Sequence, residues 1–313
     1  MSSNSPVIAG SAGNEERAGY VLVFMAALCW SLGGVIARFI EVADPWTAIF
    51  WRSVWAVVFL IGFMVWRDGA RGTVALFRNM GIPGLVVAAC FTIATSSFVI
   101  ALEYTTVANI LLIQAGAPLF AALMAFVMLG ERVSGPTWIA IAAVLAGVGV
   151  MVSDSLGGAV SPIGDGLALL IVLALSTATV MTRRYSNVRM TPALCLGAMI
   201  AGILAATQTS QFAVAASDMA FLIVFGAINL GLGAAFFATG ARMIPAAYAA
   251  LLGTFEPLLG PIWVWLVHGE VPTSRTLIGG AIVFTALLLH ITLQFHRLSK
   301  PARPGAAGIS GPS

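Results

Sequence analysis

The stretch EPLLGPIWVWLVHGEVP, residues 256–272, has a near copy, APLFAALMAFVMLGERV, at residues 117–133. Pro118 falls on Pro257, Gly130 on Gly269 and Glu131 on Glu270, each shifted by 139 residues without a gap. The same shift carries Ala108 onto Ala247 and Asn109 onto Tyr248. A constant offset of this kind points to a chain built from two copies of one unit. Both copies lie in apolar surroundings, so the meaning of the repeat depends on what the rest of the chain is.

Composition decides that: 60% of the residues are hydrophobic, 9% are charged and the mean hydropathy is +1.00. A bilayer core takes a helix of about 20 apolar residues. Runs of that kind cover 19–39, 46–66, 82–102, 105–129, 135–153, 163–182, 192–208, 217–240, 246–268 and 275–294, the seventh being short. Backbone polar groups in lipid must be satisfied internally, and continuous apolar runs without period-2 alternation select helices over a barrel. The expected class is all-α integral membrane with ten transmembrane helices.

Short cytoplasmic loops collect Lys and Arg. With the N-terminus inside, the inside segments hold Arg17; Arg67, Arg71 and Arg78; Arg132; Arg183, Arg184 and Arg189; Arg242; and Arg297, Lys300 and Arg303. Outside lie Arg38 and Arg275, while Arg52 falls inside the second run. This distribution predicts a multi-pass protein of a cell inner (plasma) membrane with both termini cytoplasmic. Arg outnumbers Lys fourteen to one, which fits a GC-rich bacterium. The net charge of +3 follows from the same asymmetry and calls for no nucleic acid.

Residues 1–18 lack the basic start of a secretory signal, so they read as a cytoplasmic tail and the first run as retained. Residues 295–313, rich in Pro, Gly and Ser, read as a disordered cytoplasmic tail. Cys29, Cys90 and Cys195 all fall in apolar runs and read as packing residues, not a disulfide framework.

The 139-residue shift carries run four onto run nine, so each unit has five runs: one repeat at 19–153, the other at 163–294. An odd number inverts the second copy. Glu131 and Glu270 then end on opposite faces, serving the fold and not topology signalling. Inverted repeats are a transporter architecture, with a site near the midplane where the halves meet.

With its doubled P…GE ending of runs four and nine, FWRS at Phe50–Ser53 and EYTTVAN at Glu103–Asn109, the chain resembles the drug/metabolite transporter superfamily, in its ten-span EamA-domain branch. The resemblance covers nearly all of 19–294. It implies two five-helix bundles around a central cavity, alternating access, and relatives that often export amino acids or other small metabolites. One departure is that Ala117 stands where the second copy has Glu256.

Glu256 is the leading candidate for chemistry, because an ionisable group at mid-span is costly unless it faces a cavity or a partner. It reads either as a proton-coupling or substrate-amine-binding carboxylate, or as a glutamate bonded to helix backbone loosened by proline. On a continuous helix it would share a stripe with Tyr248 and Leu252. Pro118, Pro257 and Pro261 read as helix kinks, with a fixed bend favoured over a moving hinge. Arg52 reads equally as a snorkelling interface residue or as a counter-charge for a substrate carboxylate or for Glu256. Asn109, Gln114, Ser96 and Asn229 could line a cavity, and Trp30, Trp55 and Tyr248 could clasp a substrate, although such residues more often pack or bond between helices. Glu103 and Tyr104 read as an interface anchor.

No HExxH, G-x-S-x-G, CxxC pair or P-loop appears, and His268, His290 and His296 are scattered near the ends of runs nine and ten. No enzyme, metal site, cofactor or ATP-driven pump is expected. The expected function is a secondary active transporter that exports a small metabolite such as an amino acid, with the lipid bilayer, the substrate and a coupling proton as its partners. A membrane-embedded enzyme acting on lipid, and a scaffold or sensor of the same fold, are the alternatives.

Overall fold

The computed structural model describes residues 7–156, 161–244 and 246–298. Among these the fold is all helical: α1 Val7–Ser31, α2 Gly33–Arg38, α3 Pro45–Asn79, α4 Gly81–Ala101, α5 Val107–Gln114, α6 Ala117–Leu129, α7 Gly135–Leu156, α8 Pro162–Arg184, α9 Thr191–Gln208, α10 Ala216–Ile223, a π-helical stretch Val224–Leu232, α11 Gly233–Gly240, α12 Ala246–Gly253, α13 Phe255–His268 and α14 Ser274–Leu298. Each expected apolar run is occupied by helix. Eight stretches are long and apolar enough to cross a membrane, and α5 with α6, bent by 48°, makes a ninth. The remaining run, 246–268, is shared by α12 and α13, which Thr254 separates. The chain is a multi-pass membrane protein.

Three boundaries differ from expectation. α1 starts at Val7, ahead of the apolar run, so the tail expected over 1–18 is helical from that residue. Helix α14 continues to Leu298, and the rest of the expected tail, 299–313, lies outside the described residues. α3 runs on to Asn79 across a break at Gly69, whose φ of 72° and ψ of 167° no α-helix contains. Its 35 residues would span roughly 50 Å as one rod, well over a bilayer core, so the segment past Gly69 turns away from the membrane-crossing part.

The packing is largely between halves. α4 lies against α8 and α9, α3 against α9 and the π-helical stretch, α1 against α11, α12 and α13, α5 and α6 against α8, and α7 against α14. The main core joins α5, α6, α7 and α8 through Ile110, Ile113, Leu119, Met151 and Ile171, each at most 1% exposed, and α4 enters it through Cys90 and Ala94. Close approach relies on glycine: a Cβ on Gly147 would stand 2.7 Å from the carbonyl oxygen of Gly279, fixing how closely α7 and α14 meet.

Polar clasps hold the α3–α9 seam at both ends. At one end Asp44 caps α3 through Trp46 N at 3.0 Å and accepts from the Thr209 hydroxyl at 3.0 Å. Burial pushes the Asp44 carboxyl up, but bonds from Trp46 N, Thr209, Thr47 and Ser210 N outweigh it and hold the group below the usual carboxylate range. At the other end Arg189 grips Asp68 with two bonds, 2.7 and 3.0 Å.

Candidate functional site

Four spans lose regular α-helix near the middle of their apolar runs. α1 gives way to α2 at Leu32, α5 to α6 at 115–116, and α12 to α13 at Thr254, while span eight winds into the wider π-helix over Val224–Leu232. The 139-residue shift carries Ala115, in the break at 115–116, onto Thr254, the break between α12 and α13. Pro118 and Pro257 each sit in the first turn of the resumed helix, where a missing N–H costs little. These prolines therefore start new half-helices, whereas Pro261 lies inside α13 as a true interior proline.

The breaks are stitched together. Asn229, 3% exposed on the π-helical stretch, donates to the carbonyls of Cys29 at 2.7 Å and Trp30 at 3.2 Å, just before the α1–α2 break. The Ser31 hydroxyl accepts from the Trp263 indole at 3.1 Å, tying α1 to α13. A Cβ on Gly260 would collide with Leu111, so α13 crosses α5 at that glycine. The Thr254 hydroxyl donates to the Leu251 carbonyl at 2.6 Å and satisfies an acceptor left at the end of α12. Irregular backbone at membrane depth is tolerated where protein buries it or where it lines a cavity.

Glu256 lies in the first turn of α13, directly after the break, and is partly buried. Its carboxylate makes no hydrogen bond or ion pair among the described residues. A helix N-terminus favours a negative charge there. The expected stripe with Tyr248 and Leu252 is interrupted, because those two belong to α12 and Thr254 separates them from Glu256. Tyr248 instead meets the ring of Tyr20 edge-on at 5.4 Å. On the matching span, Ala117 occupies the first turn of α6, and the Ser176 hydroxyl donates to its carbonyl at 3.2 Å.

Arg52 is 6% exposed, so it does not snorkel to an interface. One terminal nitrogen donates to Thr95 Oγ1 at 2.9 Å and to the Thr95 carbonyl at 3.3 Å. The guanidinium lies 4.0 Å from the centre of the Phe225 ring and 5.8 Å from that of Phe98. Its Nε has no partner among the described residues, and no carboxylate lies within 4 Å. Glu256 is thus not its counter-charge in this arrangement. Stacking on two aromatic faces offsets part of the cost of the buried cation.

The other expected residues divide between bonds and packing. Asn109, 3% exposed, donates to Thr105 Oγ1 at 3.1 Å and to Asp165, so it joins the starts of α5 and α8, and its own carbonyl oxygen is left unpaired. Gln114 closes α5 at the break and is partly buried, as is Ser96 on α4. The Trp55 indole donates to the Met219 sulfur at 3.4 Å, and the Trp30 ring lies 5.4 Å from Phe237. His268 bonds the Val35 carbonyl at 3.2 Å; the His296 side chain lies outside those described. Of the cavity residues expected, the structure joins Asn229 to the Trp30 backbone, between spans eight and one, while Glu256 lies on span nine. Asn109 is placed at the end of span four, away from the breaks.

The doubled Gly-Glu motif resolves into chemistry that sequence reading missed. Gly130 and Gly269 both end their helices in the left-handed region, with φ of 65° and 67°. Glu270 then accepts from Arg38 Nε at 3.0 Å and from the Val107 backbone N–H at 2.8 Å. Glu131 faces Arg183 at 3.7 Å. The two arginines appeared in the sequence only as topology counts. A shift of 145 residues pairs Arg38 with Arg183, Ser31 with Ser176 and Val35 with Val180, and it differs from 139 because the loops between spans differ in length.

A cavity of about 170 Å³ lies beside Arg38, lined also by Glu103, Ala48, Val99 and Phe225, the ring that covers Arg52. Among the described residues no group of three or more His, Cys, Asp or Glu could hold a metal ion. A sequence-family model described as the EamA-like transporter family matches residues 17–153 and 162–292. No curated protein sequence matches the chain. A solved crystal structure shares the fold, with a TM-score of 0.61 at 19% identity over 91% of this chain and 99% of the other.

Proposed function

The chain belongs to the EamA-like transporter family, and from that premise we propose that it is a secondary active exporter of a small amino-acid-like metabolite, working by alternating access between two inverted five-helix repeats. Membership makes it a transporter and not an enzyme. The repeats are 19–153 and 163–294, ten spans in all, with both termini on the cytoplasmic side of a bacterial inner membrane. The observation that carries this reading is Glu256, a carboxylate with no partner among the described residues in the first turn of a half-helix where a span breaks. Half-helix ends at midplane are where transporters hold substrates and coupling ions. Glu256 takes up a proton or a substrate ammonium, and Arg52, a buried cation facing no carboxylate, holds the substrate carboxylate. A phosphorylated sugar would call for several cations in the cavity, and Arg52 is the embedded one.

Purified protein in proteoliposomes, given a panel of amino acids, sugar phosphates and amphipathic amines in counterflow, tests this. Amino acids are expected to exchange. Exchange confined to sugar phosphates overturns the substrate reading, and no flux of any compound overturns transport.

A further inference from the structure

Two corners of the molecule carry the same parts in different states. At the first, Arg38 at the end of α2 and Glu270 just after α13 form an ion pair, and together they hold the turn between α4 and α5. Arg38 donates to the carbonyls of Leu102 at 3.0 Å and Thr105 at 3.3 Å, and Glu270 accepts from Val107 N. α2 and α13 pack on each other, and the turn the pair holds leads into α5, which packs on both α13 and α8. The repeat shifts carry this set onto Arg183 at the end of α8, Glu131 just after α6, and the turn between α11 and α12. There Arg183 and Glu131 stand 3.7 Å apart, with side chains 60% and 48% exposed. Neither side chain makes another hydrogen bond or ion pair among the described residues, and the carbonyls of Ala241 and Ile244, which match Leu102 and Thr105, receive no bond from Arg183. Glu270 bonds the head of span four at Val107 N and Glu131 follows its foot, so the corners lie at opposite ends of that span.

We infer that these corners are a pair of alternating gate latches: each arginine and Gly-Glu glutamate locks its end of the transporter by gripping the facing inter-helix turn, and the structure is caught with the Arg38 latch engaged and the Arg183 latch released. The inference rests on the alternating-access reading above and names the residues that execute it. Charge-assisted hydrogen bonds are stronger than neutral ones, so releasing one corner while engaging the other exchanges bonds of the same kind. A ligand that favours one state over the other then shifts their populations. Gly130 and Gly269 belong to the device, since their left-handed caps turn the chain so that the next residue points back across the helix end.

The test uses full-length protein in proteoliposomes with Cys29, Cys90 and Cys195 replaced by Ala and a reporter, Ala48→Cys, in the wall of the cavity beside Arg38, where the native residue is 6% exposed. Glu270→Gln should raise the rate at which a membrane-impermeant maleimide labels the reporter by about tenfold or more. Glu131→Gln should lower it or leave it unchanged. An unchanged rate in Glu270→Gln, or an equal rise in both variants, overturns the latches. Should Glu270→Gln fail to fold, Arg183→Gln remains: its site is exposed, so thermal stability should hold while counterflow slows several-fold, and full-speed counterflow overturns the proposal. The two readings separate cleanly. Labelling that responds in a protein without flux keeps the latches and removes transport, whereas flux with unresponsive labelling removes the latches alone.

Discussion

Spans four and nine share one design and differ in one chemical group. Each breaks at the position that the 139-residue shift equates, restarts with a proline in its first turn and ends on a glycine at positive φ followed by glutamate. Yet α13 begins with Glu256 and contains Pro261, where α6 begins with Ala117 and has Ala122. Whatever is doubled must serve the framework, because both halves need it. What occurs once is free to serve a cargo that itself has no two-fold symmetry.

The sharpest way to break this contrast is to remove the single carboxylate. Glu256→Gln should abolish proton-driven accumulation in proteoliposomes while leaving substrate exchange, since a neutral amide keeps the shape and loses the titration. Adding Ala117→Glu to that variant should not restore accumulation, because the second site faces a different set of neighbours. Accumulation that survives Glu256→Gln returns the residue to a structural role.

Proline comes next in size. Ala122→Pro places in α6 the interior proline that α13 tolerates, and removes a helix bond with a clash, at a cost of about 3 kcal/mol. Pro261→Ala should cost much less, because the neighbours of α13 are already fitted to its shape. Unfolding midpoints in detergent read both, and equal costs would mean that the two spans are bent alike despite their sequences.

Along the α3–α9 seam the halves meet differently, with polar clasps made at both ends at once. Asp44 measures it. Asp44→Asn should destabilise by about 1–2 kcal/mol at neutral pH, in the range for a lost charged acceptor and cap. The folded carboxyl titrates below its usual range, so its contribution is complete above the unfolded value near pH 4 and is lost as pH falls through the folded one. The difference between wild type and variant, followed by unfolding at several pH values, should be flat from pH 5 to 8 and shrink only in stronger acid.

How much of this was legible follows from which signals are periodic. The apolar runs and the 139-residue shift are patterns in the chain, and each run is indeed occupied by helix. The places where helices break are not periodic. Gly116 and Gly253 stand at the two breaks but are two glycines among 33, and the prolines that mark the breaks sit a few residues downstream, so the stripe joining Tyr248 to Glu256 assumed a helix that is interrupted. The π-helical stretch left no mark beyond its two glycines. Arg38 and Arg183 were visible as charges, but pairing them needs a second offset of 145, which a loop-length difference hides. Asn109 and Tyr248 fall in register in the sequence, yet one bonds Asp165 and the other meets Tyr20 edge-on, because a repeated backbone position does not fix its neighbours.

The smallest effect tests the doubled side of the comparison. Gly130 and Gly269 hold φ of 65° and 67°, and a Cβ added at either would meet nothing within 4 Å. Packing therefore contributes nothing to the cost of alanine there, and the left-handed backbone alone sets it, at about 1–2 kcal/mol. Gly130→Ala and Gly269→Ala should lower the unfolding midpoint by the same amount within error, and the double variant should lower it by the sum, since the sites stand at opposite ends of span four. A clear inequality would mean that the glutamate which follows each cap contributes to folding at one end only. The engaged Glu270 is where the larger loss would then fall.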